Sequence, residues 1–144
     1  MLTPIEFKVC GQGNNPEAYK ECEDFIKKWQ KILRIMDWEI GLSFLSGLEM
    51  LQHMGSEEYN ASCARTSTNK SAMININAES SQINDDLEQT IIHELLHIVF
   101  DEYQVFTERA VKDNDYALNA IKIKMEQTVE SLAKSFVSFI KEDE

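Results

Sequence analysis

The chain has 144 residues, of which 43% are hydrophobic, and a formal net charge of −11. This length fits one domain with one core, and we expect a single domain over residues 1–144. The acidity disfavours nonspecific binding of nucleic acid, because the phosphate backbone requires a basic surface. The chain has no run of 18 or more apolar residues, so we expect no membrane-spanning helix.

The cysteines indicate a reducing environment. The chain has three cysteines, Cys10, Cys22 and Cys63. An odd number without a C-x-x-C pair favours free thiols and disfavours a cysteine-ligated zinc site. The N-terminus lacks the basic start and apolar stretch of a signal peptide. We therefore expect a cytoplasmic protein, and we expect a monomer without nucleic-acid or membrane partners.

The first predicted element is a helix. Asn15-Pro16-Glu17 is typical of a helix start, with an N-cap residue, proline at the first helical position and an acid in the first turn. Apolar residues keep helical spacing from there to about Met36, and we expect this helix to pack on the sheet that follows. Residues 1–14 are expected to be irregular or to form one short edge strand.

Three strands are predicted next, in a small and mostly antiparallel sheet. Residues 38–44 alternate strictly between apolar and polar side chains, which indicates a strand with one buried face. Residues 59–65 and Ser71–Asn77 flank a turn-like segment and are typical of two antiparallel partners, the second of them half-exposed. Residues 46–57 are ambiguous, a loop or one helical turn, and we interpret His53 as a surface residue.

Two further helices complete a predicted α+β fold. Asp85-Asp86-Leu87-Glu88 is typical of a capping box and predicts a central helix that runs to about Tyr103. A polar connection follows. A long last helix is predicted over residues 116–141, where apolar residues form a stripe centred on Val129.

The central helix contains His93-Glu94-Leu95-Leu96-His97, an H-E-x-x-H motif. Residues four apart on a helix lie about 40° apart around its axis, so both imidazoles project from one face. Their spacing suits two nitrogen ligands of one tetrahedral Zn²⁺. Glu94 lies where a carboxylate can accept the proton of a water that the metal activates. The alternative is a buried helix with two core histidines whose polar groups are otherwise satisfied.

The third zinc ligand must come from elsewhere, because a catalytic zinc usually has three protein ligands. No third histidine fits, so we expect a carboxylate. Glu126 lies about 60° from Val129 on the last helix, inside the apolar arc, where a carboxylate requires a metal or a cation. Asp101, one turn past His97, is the competing ligand, and it could instead cap the turn or orient His97. Glu130, at the edge of the arc, suits an acceptor for a ligating imidazole N–H, although both glutamates could be ordinary surface acids.

These residues resemble the active site of zincin metallopeptidases of the gluzincin type. The match consists of the H-E-x-x-H motif, Asp101 four residues on, and Glu126 with Glu130 four residues after it. This is similar to the H-E-x-x-H…E-x-x-x-D arrangement of thermolysin-like enzymes, with Glu in place of the last Asp. The compact layout also resembles small metallopeptidases of phages and low-GC bacteria.

The resemblance implies Zn²⁺ as the cofactor and Glu94 as the general base. The implied metal ligands are His93, His97 and Glu126. It also implies an edge strand that binds an extended peptide antiparallel, for which Ser71–Asn77 is the candidate. The chain lacks the helical half that supplies oxyanion-stabilising residues in thermolysin-like enzymes, and three tyrosines are open candidates for that role: Tyr59, Tyr103 and Tyr116.

We therefore expect a zinc-dependent hydrolase of peptide (amide) bonds. Two other functions stay open. One is a zinc-binding but catalytically silent interaction or regulatory protein of phage or prophage origin, which the intact Glu94 disfavours, since a purely structural site needs no carboxylate there. The other is a small acidic α+β binding protein without a metal.

Overall fold

The structure is a computed structural model that describes residues 16–54, 61–77 and 86–143. Expectations for residues 1–14, for Asn15, for Cys10 and for Tyr59 lie outside the described residues, as does the side chain of His53. The described helices and strands form an α+β fold, as predicted. In chain order they are α1 (Pro16–Ile32), β1 (Glu39–Leu45), α2 (Gly47–Met54), β2 (Ala61–Thr66), β3 (Ser71–Asn77), α3 (Leu87–Val99), α4 (Asp101–Ala110) and α5 (Asp115–Asp143).

The three strands form a mixed sheet in the order β1-β3-β2. β2 pairs antiparallel with β3, with Thr66 opposite Ser71, which confirms the predicted hairpin. β1 runs parallel to β3, with Glu39 opposite Ser71, so the expectation of a mostly antiparallel sheet is wrong for this pair. The chain between them contains α2 and β2, which gives it the length that a parallel crossover requires.

Ser71–Asn77, now β3, is the central strand of the sheet and not an edge strand. Its backbone pairs with β1 on one side and with β2 on the other, so it has no open edge to which a peptide strand could add. The prediction that this segment is an edge strand is therefore wrong, and peptide binding by strand addition loses its basis there. Alternating burial reports which faces of a strand are covered and carries no information about its edges. Among the described strands, β2 is the edge beside α3.

β1 is buried on both faces, whereas the alternation predicted one buried face. Ile40, Leu42 and Phe44 are at most 1% exposed, and the intervening Gly41 and Ser43 are buried as well. Small uncharged residues can be covered at a much lower desolvation cost than charged ones. The small residues that alternate with the apolar ones in β1 therefore do not face solvent.

Helix α1 packs on both the sheet and α3, as expected for the first helix. The Tyr19 hydroxyl donates to the carbonyl oxygen of Leu42 over 3.4 Å, and its ring centroid lies 5.4 Å from that of Phe44. The helix ends at Ile32, earlier than the predicted Met36. Arg34 has a φ of 59°, in the left-handed region that helices do not use.

The predicted central helix is in fact two helices. α3 ends at Val99 and α4 begins at Asp101, with Phe100 between them at φ −92° and ψ 4°. Asp85, the first residue of the predicted capping box, lies outside the described residues. The N-cap of α3 is Asp86, and its side chain makes no capping hydrogen bond. Glu88, the other member of the box, instead accepts hydrogen bonds from two side chains of α1, Trp29 Nε1 at 2.7 Å and Lys28 Nζ at 2.9 Å.

Helix α5 lies against α3, and this contact positions the functional site. Val129 and Ala133 are fully buried and Met125 is 8% exposed, which matches the predicted apolar stripe centred on Val129. The observed helix also contains all of the predicted range 116–141. Within the described residues, no helix combines the length and the apolar character needed to cross a membrane.

Candidate metal centre

The two histidines of the H-E-x-x-H motif and Glu126 meet in one place. His97 Nε2 lies 2.8 Å from Glu126 Oε1, and His93 Nε2 lies 3.2 Å from Glu126 Oε2. One potential ligand atom from each of the three residues lies within 4.8 Å of the other two. The structure therefore brings together the three residues that were predicted as metal ligands, and they form a candidate metal-binding group.

The packing of α5 on α3 explains why Glu126 reaches the histidines. Met125 and Val129 are buried against the core, and Glu126 follows Met125 at the border of this buried stripe. Its side chain is 59% exposed, whereas those of His93 and His97 are 15% and 9% exposed. The carboxylate thus lies at the mouth of the site, and the imidazoles form its floor.

Glu130 holds the ring of His93 from the opposite side. Its Oε2 lies 2.7 Å from His93 Nδ1, and its Oε1 accepts a hydrogen bond of 3.0 Å from Gln89 Nε2. This is the predicted contact between Glu130 and an imidazole. A donating Nδ1–H leaves Nε2 of His93 unprotonated in the neutral ring and directed at Glu126.

Asp101 is not part of the metal-binding group. It is 2% exposed, and its two oxygens accept hydrogen bonds from Arg65 Nε, at 2.9 Å, and from Ser67 Oγ. Among the described residues, the group that could hold a metal consists of His93, His97 and Glu126, and Asp101 makes no hydrogen bond with His97 Nδ1. Its partner Arg65 was not predicted from the sequence. A buried carboxylate needs a cation beside it, so the sequence could have indicated that Asp101 has a cationic partner. No residue near Arg65 in the sequence identified Arg65 as that partner.

Glu94 is buried beside the histidines and lines the same cleft. It is 6% exposed. Burial raises the pKa of Glu94 above its ordinary value, although the positive charges of His93, His97 and Arg65 act in the opposite direction. A carboxylate with a raised pKa holds a proton more readily, which is what a general base requires.

The acidic groups around His93 raise the pKa of its imidazole. Burial lowers the pKa of His93, but the hydrogen bond to Glu126 and the negative charges of Glu94, Glu126 and Glu130 outweigh this and raise it to about 9. The hydrogen bonds from His93 and His97 hold the pKa of Glu126 well below its ordinary value, despite partial burial. At neutral pH, His93 is therefore protonated when no metal is bound.

We expect the stabilisation by zinc to increase with pH. Protonated His93 stabilises the metal-free fold fully below its ordinary pKa of 6.5, and this contribution is lost as the pH rises through about 9. Zinc must displace the same proton, so its affinity should rise over this range. The difference in melting temperature between zinc-loaded and chelated protein should therefore grow from pH 6.5 to 9. A constant difference in scanning fluorimetry would contradict this charge arrangement.

The candidate group lies in a cleft of about 1090 Å³ between β2, α3 and α5. β2 forms one wall with residues Ala61–Arg65, and Arg65, whose side chain is 19% exposed, brings a positive charge. Two of the tyrosines considered for oxyanion stabilisation do not reach this cleft: Tyr103 and Tyr116 are 67% and 86% exposed on α4 and α5. Neither of these two open candidates therefore lines the cleft.

No known family model matches this chain, and comparisons with curated proteins and with solved structures find no match. The resemblance to gluzincins consequently stays a prediction. It rests on the residues of the motif and on the group formed by His93, His97 and Glu126.

Proposed function

We propose that this protein is a zinc-dependent hydrolase of peptide (amide) bonds. The observation that carries the proposal is the convergence of His93, His97 and Glu126 in one cleft, with Glu94 buried beside them. Two imidazoles and one carboxylate are a donor set of catalytic zinc, which keeps one further position for water or substrate. The resemblance of the motif to gluzincins supports the same reaction.

The surroundings of the two histidines fit a zinc ion. Ligating histidines usually donate their other ring N–H to an acceptor, and Glu130 is that acceptor for His93. Nδ1 of His97 is buried and has no hydrogen-bond partner among the described residues, while its Nε2 faces Glu126. Both rings thus present Nε2 to the same point.

In this proposal, His93, His97 and Glu126 would hold the zinc ion, which would supply polarisation of the scissile carbonyl and a pKa of water lowered towards about 7. Glu94 takes the proton of the attacking water as the carbon–oxygen bond forms, and it returns that proton to the leaving amine as the carbon–nitrogen bond breaks. The burial of Glu94 supports this role, because it raises the proton affinity of the carboxylate.

We further propose that Arg65 stabilises the negative charge that develops on the carbonyl oxygen. Arg65 lines the cleft, and its charge acts on the pKa of Glu94, which places it within electrostatic reach of the reacting groups. The ion pair with buried Asp101 fixes its guanidinium before substrate arrives. A preorganised cation of this kind needs no rearrangement during the reaction.

The proposed substrate is an extended peptide along β2. Among the described strands, β2 is the edge that lines the cleft, and its outer side pairs with none of them, as strand addition of a peptide requires. We place the reaction in the cytoplasm, which the free thiols of Cys22 and Cys63 support.

A zinc-binding protein without catalysis, with an interaction or regulatory role in phage or prophage, is the second candidate. Helix α4 supports it, because Tyr103 and Phe106 stand three residues apart and are 67% and 77% exposed. Exposed aromatic pairs of this kind are enriched at protein interfaces.

A cleavage assay on a peptide library tests the proposed function. We expect cleavage by the zinc-loaded protein, its loss on chelation and its return when zinc is restored. A His93→Ala/His97→Ala variant is the control and should neither bind zinc nor cleave. Cleavage that survives both chelation and the double substitution contradicts the proposal. Zinc binding without cleavage would favour the interaction protein.

A further inference from the structure

We propose that Gln104 is a positioning residue of the metal site. One buried water accepts a hydrogen bond from His97 Nδ1–H and donates one to Gln104 Oε1. This inference rests on the proposed zinc site. It assigns an outer acceptor to the second histidine, as Glu130 is the acceptor for the first.

The evidence begins with two buried atoms that have no partner. His97 Nδ1 and Gln104 Oε1 are both inaccessible to solvent, and neither makes a hydrogen bond with any described residue. Buried polar atoms without a partner are rare in native proteins, because each one loses its hydrogen bonds to water without compensation. Both residues line the cleft that contains the metal-binding group. Ser43 Oγ, the remaining such atom among the described residues, belongs to β1 and does not line it.

The two atoms are chemically complementary. When Nε2 of His97 faces a metal ion, the neutral ring carries its proton on Nδ1, which is then a donor. The side-chain oxygen of Gln104 is an acceptor only. One water can accept from Nδ1–H and donate to Oε1, which satisfies both atoms.

Backbone hydrogen bonds connect the turns that contain His97 and Gln104. They run from the Phe100 N–H to the Leu96 carbonyl, 3.0 Å, and from the Gln104 N–H to the Phe100 carbonyl, 2.8 Å. Gln104 therefore follows His97 by about two turns, beyond the break at Phe100. Both side chains line the same cleft, which is where the proposed water connects them.

Asp101 would be the more obvious acceptor, since it lies one turn after His97 on the same side. Asp101 accepts hydrogen bonds from Arg65 and Ser67, and it makes none with His97, whose Nδ1 has no partner among the described residues. Gln104 Oε1 is the buried acceptor without a partner in the cleft lining, among the described residues.

Zinc affinity tests the inference through competition with a chromophoric chelator. Gln104→Met keeps the length of the side chain and removes the acceptor, and it should weaken zinc binding by about 10- to 100-fold, as loss of an outer acceptor usually does. Gln104→Glu restores an acceptor and should bind zinc at least as well as the native protein. Gln52→Met, at an exposed position of α2, is the matched control and should change nothing.

NMR of the imidazole N–H groups in the zinc-loaded proteins provides a second test. The solvent exchange of His97 Nδ1–H would not change if Gln104 only stabilised the fold. The Nδ1–H resonance of His97 should be protected from solvent exchange in the native protein and in Gln104→Glu, and it should exchange rapidly in Gln104→Met. If Gln104→Met does not fold, Gln104→Asn, whose amide is too short to reach, takes its place.

Native zinc affinity and an unchanged Nδ1–H resonance in Gln104→Met would overturn the inference and leave the proposed function in place. If the native protein itself binds no zinc, the proposed function fails and the inference fails with it. The two failures are therefore distinguishable in one set of titrations.

Discussion

Replacing Glu126 with alanine is expected to weaken zinc binding by more than the roughly 10- to 100-fold that the loss of an outer contact costs. Glu126 is the one carboxylate of the candidate group, and its two oxygens lie 2.8 Å and 3.2 Å from the histidine nitrogens. Its removal leaves two protein ligands where a catalytic zinc site usually has three. Elemental analysis of protein purified without added metal and chelator competition both measure this loss.

Two matched variants separate the role of a ligand from that of a nearby acid. Glu130→Gln keeps an acceptor for His93 Nδ1 without the charge, so its loss of affinity should stay within about 100-fold. Asp101→Asn should retain zinc, because Asp101 is committed to Arg65 and Ser67. Loss of zinc from Asp101→Asn and retention by Glu126→Ala would show that the wrong carboxylate has been assigned.

Glu94→Gln is expected to retain zinc and fold but to lose about 10²- to 10⁴-fold in the rate of peptide hydrolysis, the usual cost of losing a general base. Gln has nearly the shape of Glu and can still hydrogen-bond to water, but it cannot accept a proton. Glu94 is buried, and its pKa is raised by that burial. Replacing its carboxylate with the neutral amide of Gln removes the cost of a buried charge. We therefore expect no fall in melting temperature.

The matched control is Glu102→Gln, an exposed acid of α4 that should hydrolyse peptides at the native rate. Zinc content and the rate of cleavage of the same peptide are measured in parallel for the three proteins. Equal rates for the native protein and Glu94→Gln would point to a contaminating protease or to a mechanism without this base.

Much of the candidate site could be predicted from the sequence, because helical periodicity is a local property. The spacing of His93 and His97 fixes their relative direction on any helix. The apolar stripe of α5 similarly identified Glu126, predicted inside the apolar arc, and Glu130, predicted at its edge, and the structure brings both to the histidines. Glu126 is 59% exposed, so it lies further from the buried face than predicted. The α+β class followed from the order of periodic segments.

Other features were decided only by the tertiary structure, because they depend on residues far apart in the chain. Strand alternation specifies faces, so the sequence could not show that β3 pairs on both edges and that β2 is left as the edge. The pairing of Arg65 with Asp101 joins β2 to α4 across 36 residues, a separation at which no local pattern applies. The break at Phe100 has no proline or glycine to mark it. The surroundings of His97, and with them the role proposed for Gln104, depend on which buried polar atoms remain without partners once the helices have packed.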